Sequence, residues 1–274
     1  MHRSAAGHGR LRRAALASAI ACAVAVLATP AADAAISCSY GELGPPGPPG
    51  NVLAITASTP ELDVVAVQRS ADQIAVSDDA TGAQVGCAGE TPTVTNTDTI
   101  LLAGANGTSL AIDERGGPFA PGATDEGDGF SEIEFDLDWE DGLLAVNSAP
   151  SGEGLSFGAL PEGSGINLNP GSEAAPDSDV DPGGVLSVVG RGLGGGESLT
   201  AAGGPGFIGP FNRPVSFEGR AGRDLLIGGS VPDLLDGGPG GDRIRARDGK
   251  RDTIFCGGGR DRVRADRKDK LTGC

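Results

Sequence analysis

An aspartate followed two residues later by an aliphatic side chain recurs six times between residues 219 and 274. The pairs are Asp224/Leu226, Asp233/Leu235, Asp242/Ile244, Asp252/Ile254, Asp261/Val263 and Asp269/Leu271, with successive aspartates 9, 9, 10, 9 and 8 residues apart. Three consecutive nonapeptides read GRAGRDLLI (219–227), GGSVPDLLD (228–236) and GGPGGDRIR (237–245), and CGGGRDRVR (256–264) follows after a degenerate repeat. Glycines ahead of the aspartate permit a tight, partly left-handed turn, and the isolated aliphatic behind it suits a short strand with one buried side chain. With two repeats per coil, alternate repeats stack. Leu226, Ile244 and Val263 then line one sheet, and Leu235, Ile254 and Leu271 the other. Asp224, Asp242 and Asp261 share one edge, and Asp233, Asp252 and Asp269 the opposite edge.

That stacking has an electrostatic cost. Carboxylates about 5 Å apart repel by about 1 kcal/mol in water and by ~3 kcal/mol at an intermediate dielectric. Repeated along both edges, the repulsion opposes folding unless a cation sits between the turns. Calcium takes six to eight oxygens, which carbonyl-rich turns plus carboxylates can offer. Arg223, Arg251 and Arg260 are the rival source of neutralisation.

The first residues have the form of an export signal. Arg3, Arg10, Arg12 and Arg13 make a basic start, residues 14–27 a short apolar stretch, and Ala32-Asp33-Ala34 an A-x-A cleavage site, so the mature chain is expected from Ala35. The apolar run is too short to span a bilayer, and Cys22 falls within it. Cys38, Cys87, Cys256 and Cys274 remain, an even number that in an oxidising compartment implies two disulfides. Three pairings are formally open. Cys256 and Cys274 are two nonapeptides apart, which puts them on adjacent coils at the ~4.8 Å strand spacing, within reach of a disulfide. Cys38 then pairs with Cys87.

Charge divides the chain. Without residues 1–34 it carries 17 basic and 36 acidic residues, a net of −19; residues 35–218 contribute −23 and residues 219–274 contribute +4. The anionic body argues against nucleic acid as a partner and suits divalent cations. The arginines of the tail alternate with aspartates, which predicts a neutralised surface there.

A Pro/Gly-rich spacer occupies residues 35–50, and an acidic body of short strands is expected over 51–218. Strand-type runs fall at 52–57, 64–67, 73–76, 99–102, 109–112, 143–146, 154–157, 165–168 and 185–189. The clearest is SEIEFDLDWE (131–140), where Ile133, Phe135, Leu137 and Trp139 alternate with five carboxylates that form an outer face. GLGGGESLT (192–200) is a worn repeat, with Glu197 in the aspartate position and Leu199 in the aliphatic one. Small aliphatics stacked along an axis need few aromatics, so the 4% aromatic content and 47 glycines point to an all-β parallel β-helix or β-roll solenoid built from short strands and Gly/Asp-rich turns.

Hydrolytic sites are largely excluded. Both histidines, His2 and His8, precede residue 35, which removes a Ser-His-Asp triad, a Cys-His pair and an H-E-x-x-H zinc site from the mature chain. Ser156 in Gly154-Leu155-Ser156-Phe157-Gly158 is thus a coincidental G-x-S-x-G. Asp177, Asp179 and Asp181 resemble the start of a D-x-D-x-D calcium loop, but Pro182 occupies its glycine position and Val188 that of its glutamate.

The 219–274 segment resembles the haemolysin-type (RTX) calcium-binding repeat family of secreted bacterial proteins. The resemblance implies calcium held by glycine-turn carbonyls and the motif aspartate. It nominates Asp224, Asp233 and Asp242 first, then Asp252 and Asp261, then Asp269. Only 237–245 matches every fixed position: Arg220 and Val231 replace glycines, and 247–255 lacks most of them. RTX toxins leave the cell without an N-terminal signal or disulfides, so toxin activity is not implied. The expectation is an exported, non-enzymatic calcium-binding structural or surface protein. The alternatives are a calcium-dependent polysaccharide lyase, for which only Arg69, Arg115, Arg191 and Arg213 are available in the body, and a cell-surface adhesive module.

Overall fold

The computed structural model describes residues 36–42, 51–58, 64–78, 81–104, 108–119, 133–138, 141–149, 154–161, 163–168 and 178–274. The expected signal segment, residues 44–50 of the spacer, Trp139, Glu132, Glu140 and Asp177 lie outside them. The described residues are almost entirely β, arranged as a 13-stranded sheet, a 10-stranded sheet and a two-stranded ribbon.

Pairing in the 10-stranded sheet is parallel over a long path. Val64–Ser70, Ser109–Asp113, Leu143–Asn147, Ser187–Arg191, Val215–Glu218, Leu234–Asp236, Thr253–Phe255 and Lys270–Thr272 follow one another as neighbours. At its other end Val64–Ser70 pairs antiparallel with Gln73–Asp78. In the larger sheet Leu155–Leu160, Ser198–Thr200, Leu225–Ile227, Arg243–Ala246 and Arg262–Ala265 are parallel neighbours. So are Asn51–Ala57, Thr99–Gly104, Glu134–Asp138 and Val180–Asp181. Gly163–Asn167 joins these two blocks by antiparallel pairing on both sides. Pairing therefore runs through Gly219 without a break.

Each predicted run in the body overlaps a strand, because each is rich in branched or small apolar residues and lies between turn formers. In Glu134–Asp138, Phe135 and Leu137 are buried, while Asp138 is exposed. From Ser187 onward the chain visits the two sheets in turn. The aliphatics stack in register, Leu226 beside Ile244 and Ile244 beside Val263 in one sheet, Leu235 beside Ile254 and Ile254 beside Leu271 in the other. The motif aliphatic is flanked by exposed or half-buried residues in every repeat, so each short strand puts few side chains into the core (Ala246 joins Ile244 in Arg243–Ala246) and depends on its neighbours for burial.

Both sheets share one apolar core. Its widest part lies where Phe157 meets Phe211 and Phe217 at ring separations of 5.7 and 5.2 Å. Gly190 makes room for them, since a Cβ there would lie 2.9 Å from the Phe217 ring. Two disulfides join neighbouring strands: Cys38–Cys87 links Ile36–Glu42 to the parallel strand Cys87–Gly89, and Cys256–Cys274 spans 18 residues at the end of the stack. Both pairings agree with the spacing argument, and both belong to an oxidising compartment. Among the described residues no helix is long and apolar enough to cross a membrane.

Burial falls off at the last coil, where Leu271 is 44% exposed against 0% for Leu235. Leu235→Ala is therefore expected to cost about 2–5 kcal/mol, and Leu271→Ala less than about 1 kcal/mol, in urea unfolding followed by circular dichroism.

Candidate metal centre

The six motif aspartates stand immediately before their strands, each at the end of a turn. Their carboxylates point along the stack rather than out to solvent. Asp224, Asp233, Asp242 and Asp252 are buried, whereas Asp261 and Asp269, in the last coil, are half-buried. Each carboxylate accepts a hydrogen bond from the backbone of the preceding coil. The Asp224 N–H donates to Asp242 Oδ1 at 2.9 Å and the Asp242 N–H to Asp261 Oδ1 at 3.0 Å. On the opposite edge the Asp233 N–H donates to Asp252 Oδ1 at 2.9 Å and the Asp252 N–H to Asp269 Oδ1 at 3.1 Å. The structure thus separates the six into an Asp224–Asp242–Asp261 column and an Asp233–Asp252–Asp269 column.

Both columns begin before the first full repeat. The Glu197 N–H donates to Asp224 Oδ1 at 2.9 Å, and the Val215 N–H to Asp233 Oδ1 at 3.0 Å. Glu197 is buried and its own carboxylate bends back to accept from the Gly194 and Gly195 N–H groups. It is the first acidic member of its column, and the signal for it was Leu199 two residues later. Val215 carries no carboxylate, so composition alone could not place it.

The two edges differ in what remains for the second oxygen. Asp224 Oδ2 and Asp242 Oδ2 are buried with no hydrogen-bond partner. Each faces a backbone carbonyl across a small gap above a glycine. A Cβ on Gly219 would lie 2.8 Å from both Asp224 Oδ2 and the Gly237 carbonyl oxygen. A Cβ on Gly237 would lie 2.7 Å from Asp242 Oδ2 and 2.8 Å from the Cys256 carbonyl oxygen. The same arrangement opens the column, where a Cβ on Gly192 would meet the Gly219 carbonyl oxygen at 2.7 Å and Glu197 Oε2 at 3.1 Å. On the other edge Asp233 Oδ2 accepts from the Gly229 N–H at 2.7 Å, and Asp269 Oδ2 from the Asp266 N–H.

Close stacking of these turns demands glycine. The Gly222 and Gly240 carbonyl oxygens accept from the Gly241 and Arg260 N–H groups at 3.1 and 3.2 Å. A Cβ on Gly240 would lie only 1.8 Å from the Gly222 carbonyl oxygen. GGSVPD on the opposite edge cannot copy this contact, since Val231 stands where the third glycine would be.

Burial raises the carboxyls of Asp224, Asp233, Asp242 and Asp252 above their ordinary range. Desolvation dominates at all four shifted aspartates and is opposed by the backbone hydrogen bonds each accepts. Asp233 and Asp252 are pushed up to about 6, with Asp252 and Asp248 adding charge repulsion at the first and Asp248, Asp269 and Asp266 at the second. Asp224 and Asp242 are also raised by burial, and Glu197 adds to the effect at Asp224. Arginine does not relieve this. Among the described residues no ion pair joins Arg223, Arg251 or Arg260 to a motif aspartate, and all three are exposed.

Among the described residues no three His, Cys, Asp or Glu side chains converge on one point. A cation here would be held by one carboxylate at a time together with turn carbonyls. The Asp224 edge fits such an ion, having buried carboxylate oxygens without donors beside carbonyl oxygens. The Asp233 edge fits it less well, because backbone amides already occupy Asp233.

The other candidate features have structural partners. Ser156 is buried within the strand Leu155–Leu160, not on an exposed turn. Asp179 is buried and accepts from the Leu168 N–H at 2.6 Å, and Asp181 caps the Gly183 N–H at 3.0 Å. Of the body's arginines, Arg69 donates to the Ala71 carbonyl, Arg115 pairs with Asp113, Arg191 with Glu218, and Arg213 donates to the Gly183 carbonyl. Comparison with known proteins yields no family model, no curated protein and no solved structure that matches the chain.

The raised carboxylates set a pH dependence for the cation-free protein. An unfolded aspartate titrates near 3.9. A folded value near 6 means stability is fully present below about pH 4 and is lost as pH rises through about 6. In chelator the melting temperature is therefore expected to fall between pH 4.5 and 7. The fall should be smaller in Asp233→Asn/Asp252→Asn, and scanning circular dichroism of both proteins checks this.

Proposed function

We propose that the chain is an exported, non-enzymatic calcium-binding protein whose repeats form a β-roll closing a parallel β-solenoid. In this reading the Gly/Asp turns bind calcium, and calcium stiffens the coils outside the cell. The observation that carries it is the pair of buried, donor-less oxygens, Asp224 Oδ2 and Asp242 Oδ2, each beside a turn carbonyl. An uncompensated buried carboxylate costs several kcal/mol, and a hard divalent cation with oxygen preference removes that cost directly. The resemblance to the haemolysin-type repeat supports the same reading, as do the two disulfides and the expected signal segment.

The residues assign the edges different parts. Asp224, Asp242 and Asp261 would hold calcium with help from the Gly219, Gly237 and Cys256 carbonyls, and Glu197 would close the column. Asp233, Asp252 and Asp269 serve first as staples: their Oδ1 atoms tie successive coils, and at Asp233 both oxygens accept amides. Calcium supplies charge neutralisation and cross-links between turns, and no chemistry beyond that is required of it.

Asp242→Asn tests the assignment, since the amide oxygen can still accept the Asp224 N–H while the charge is gone. In calorimetry, Asp242→Asn is expected to bind fewer calcium ions than wild type, and Asp233→Asn the same number. In chelator at pH 7, Asp242→Asn should be more stable than wild type, by about 1–3 kcal/mol. Calcium that produces neither heat nor a shift in melting temperature for the wild-type chain refutes the proposal.

A further inference from the structure

The alternation of arginine and aspartate in the tail does not produce a neutralised surface. The strands sort the two signs to different places. The aspartates end the turns and point along the stack, while the arginines flank the buried aliphatics and point outward. In Arg243–Ala246 the burial alternates, with Arg243 and Arg245 exposed and Ile244 and Ala246 buried. In the next strand Arg262 and Arg264 are exposed again. The parallel register sets Arg243 beside Arg262 and Arg245 beside Arg264.

Four arginines thus form a rectangular array, ~4.8 Å apart across the strands and ~6.6 Å along them. Like charges placed directly opposite one another destabilise a sheet. Among the described residues none of the four has an ion-pair partner. The equivalent outward positions of the other sheet are Leu234, Asp236, Thr253, Phe255, Lys270 and Thr272. The array is therefore specific to one face and is not a general feature of the repeat.

Three clefts adjoin across this face and share its arginines. Arg243 and Arg262 line the first and second, and Arg245 and Arg264 the second and third. Arg223 and Arg260 extend the first beyond one strand end, and Arg247 extends the third beyond the other. Together they make a trough running along the strands in which seven arginines outnumber two carboxylates, Asp242 in the first cleft and Asp248 in the third.

We propose that this trough binds a linear anionic polysaccharide, one with a carboxylate or sulfate at regular intervals. Guanidinium forks match the paired oxygens of either group, and a row of them matches a chain that repeats the anion. A single extended chain suits a trough two strands wide. Nucleic acid fits less well: single strands are held by stacking on aromatic side chains, and no aromatic residue lines the trough. A second copy of this chain would supply acidic residues, but protein interfaces are anchored by buried aromatic or aliphatic side chains, and the first two clefts are lined mostly by arginine. The inference does not depend on calcium at the turns.

The test uses the chain from Ala35, in calcium, titrated with polygalacturonate, dextran sulfate and single-stranded DNA. The fourfold variant Arg243→Gln/Arg245→Gln/Arg262→Gln/Arg264→Gln is compared with Lys250→Gln/Arg251→Gln/Arg267→Gln/Lys270→Gln, which removes the same charge elsewhere. Circular dichroism establishes that both remain folded. Wild type is expected to bind at least one polysaccharide, with affinity falling as salt rises, and the two polymers distinguish carboxylate from sulfate recognition. The array variant should lose at least tenfold and the control less than twofold. Binding to neither polysaccharide, equal loss in both variants, or tighter binding to DNA overturns the proposal. So does self-association in sedimentation that the array variant abolishes, since the second copy would then be the partner.

Discussion

The hydrogen bond from the N–H of Asp224, Asp233, Asp242 and Asp252 to the next carboxylate in the column fixes the geometry of the repeats. A carboxylate one methylene from the backbone can reach the amide of the adjacent coil only if both turns are aligned. The spacing between bonded aspartates is 18 and 19 residues on one edge and 19 and 17 on the other. The turns absorb these differences of one and two residues while the aspartate and the aliphatic two residues later stay in register. Strand pairing, the aliphatic columns and the position of Cys274 beside Cys256 all follow from that alignment.

The same bond creates an electrostatic problem. Pointing a carboxylate along the stack removes it from water, and one accepted amide does not replace its hydration. The two edges meet this cost with different local sequences. GGSVPD presents the Gly229 amide to Asp233 and needs nothing further at that residue. GRAGRD and GGPGGD bring backbone carbonyls close to Asp224 and Asp242, leaving oxygen facing oxygen. An arrangement of that kind is unfavourable by itself and favourable around a cation. Edge asymmetry of this sort is what a repeat under two selections, stacking and ion binding, would retain.

Much of this was legible in the sequence because it depends on period. Nine-residue spacing gave the aliphatic columns and the separation into two aspartate edges, and two nonapeptides gave the Cys256–Cys274 pairing. Alternation gave the buried Phe135 and Leu137. The worn repeat at 192–200 placed the start of the repeats before Gly219, but the register across residues 200–215 was less accessible. Glu197 and Asp224 are 27 residues apart, because the chain between Thr200 and Val215 carries an extra strand, Gly209–Pro210, that pairs antiparallel with Leu155–Leu160. No fixed period crosses that insertion. Val215 is invisible for a different reason, since only its amide takes part. Charge direction was also hidden. Arg and Asp adjacent in sequence look like a neutral mixture, yet a strand that begins one residue after the aspartate turns its arginines to the opposite side of the backbone.

That separation has a consequence for how the repeats reach electrical balance. The carboxylates lie in the turns and the guanidiniums on the sheet face, with the backbone of the strand between the two array columns and the core. Among the described residues no ion pair joins an array arginine to a motif aspartate. On the two proposals made above, a small cation among the turn oxygens and an anionic polymer on the sheet face would serve as the counterions. The stacking of Ile244 on Val263, with Ala246 beside Ala265, is what turns the flanking arginines outward, since alternate residues of a strand face opposite sides.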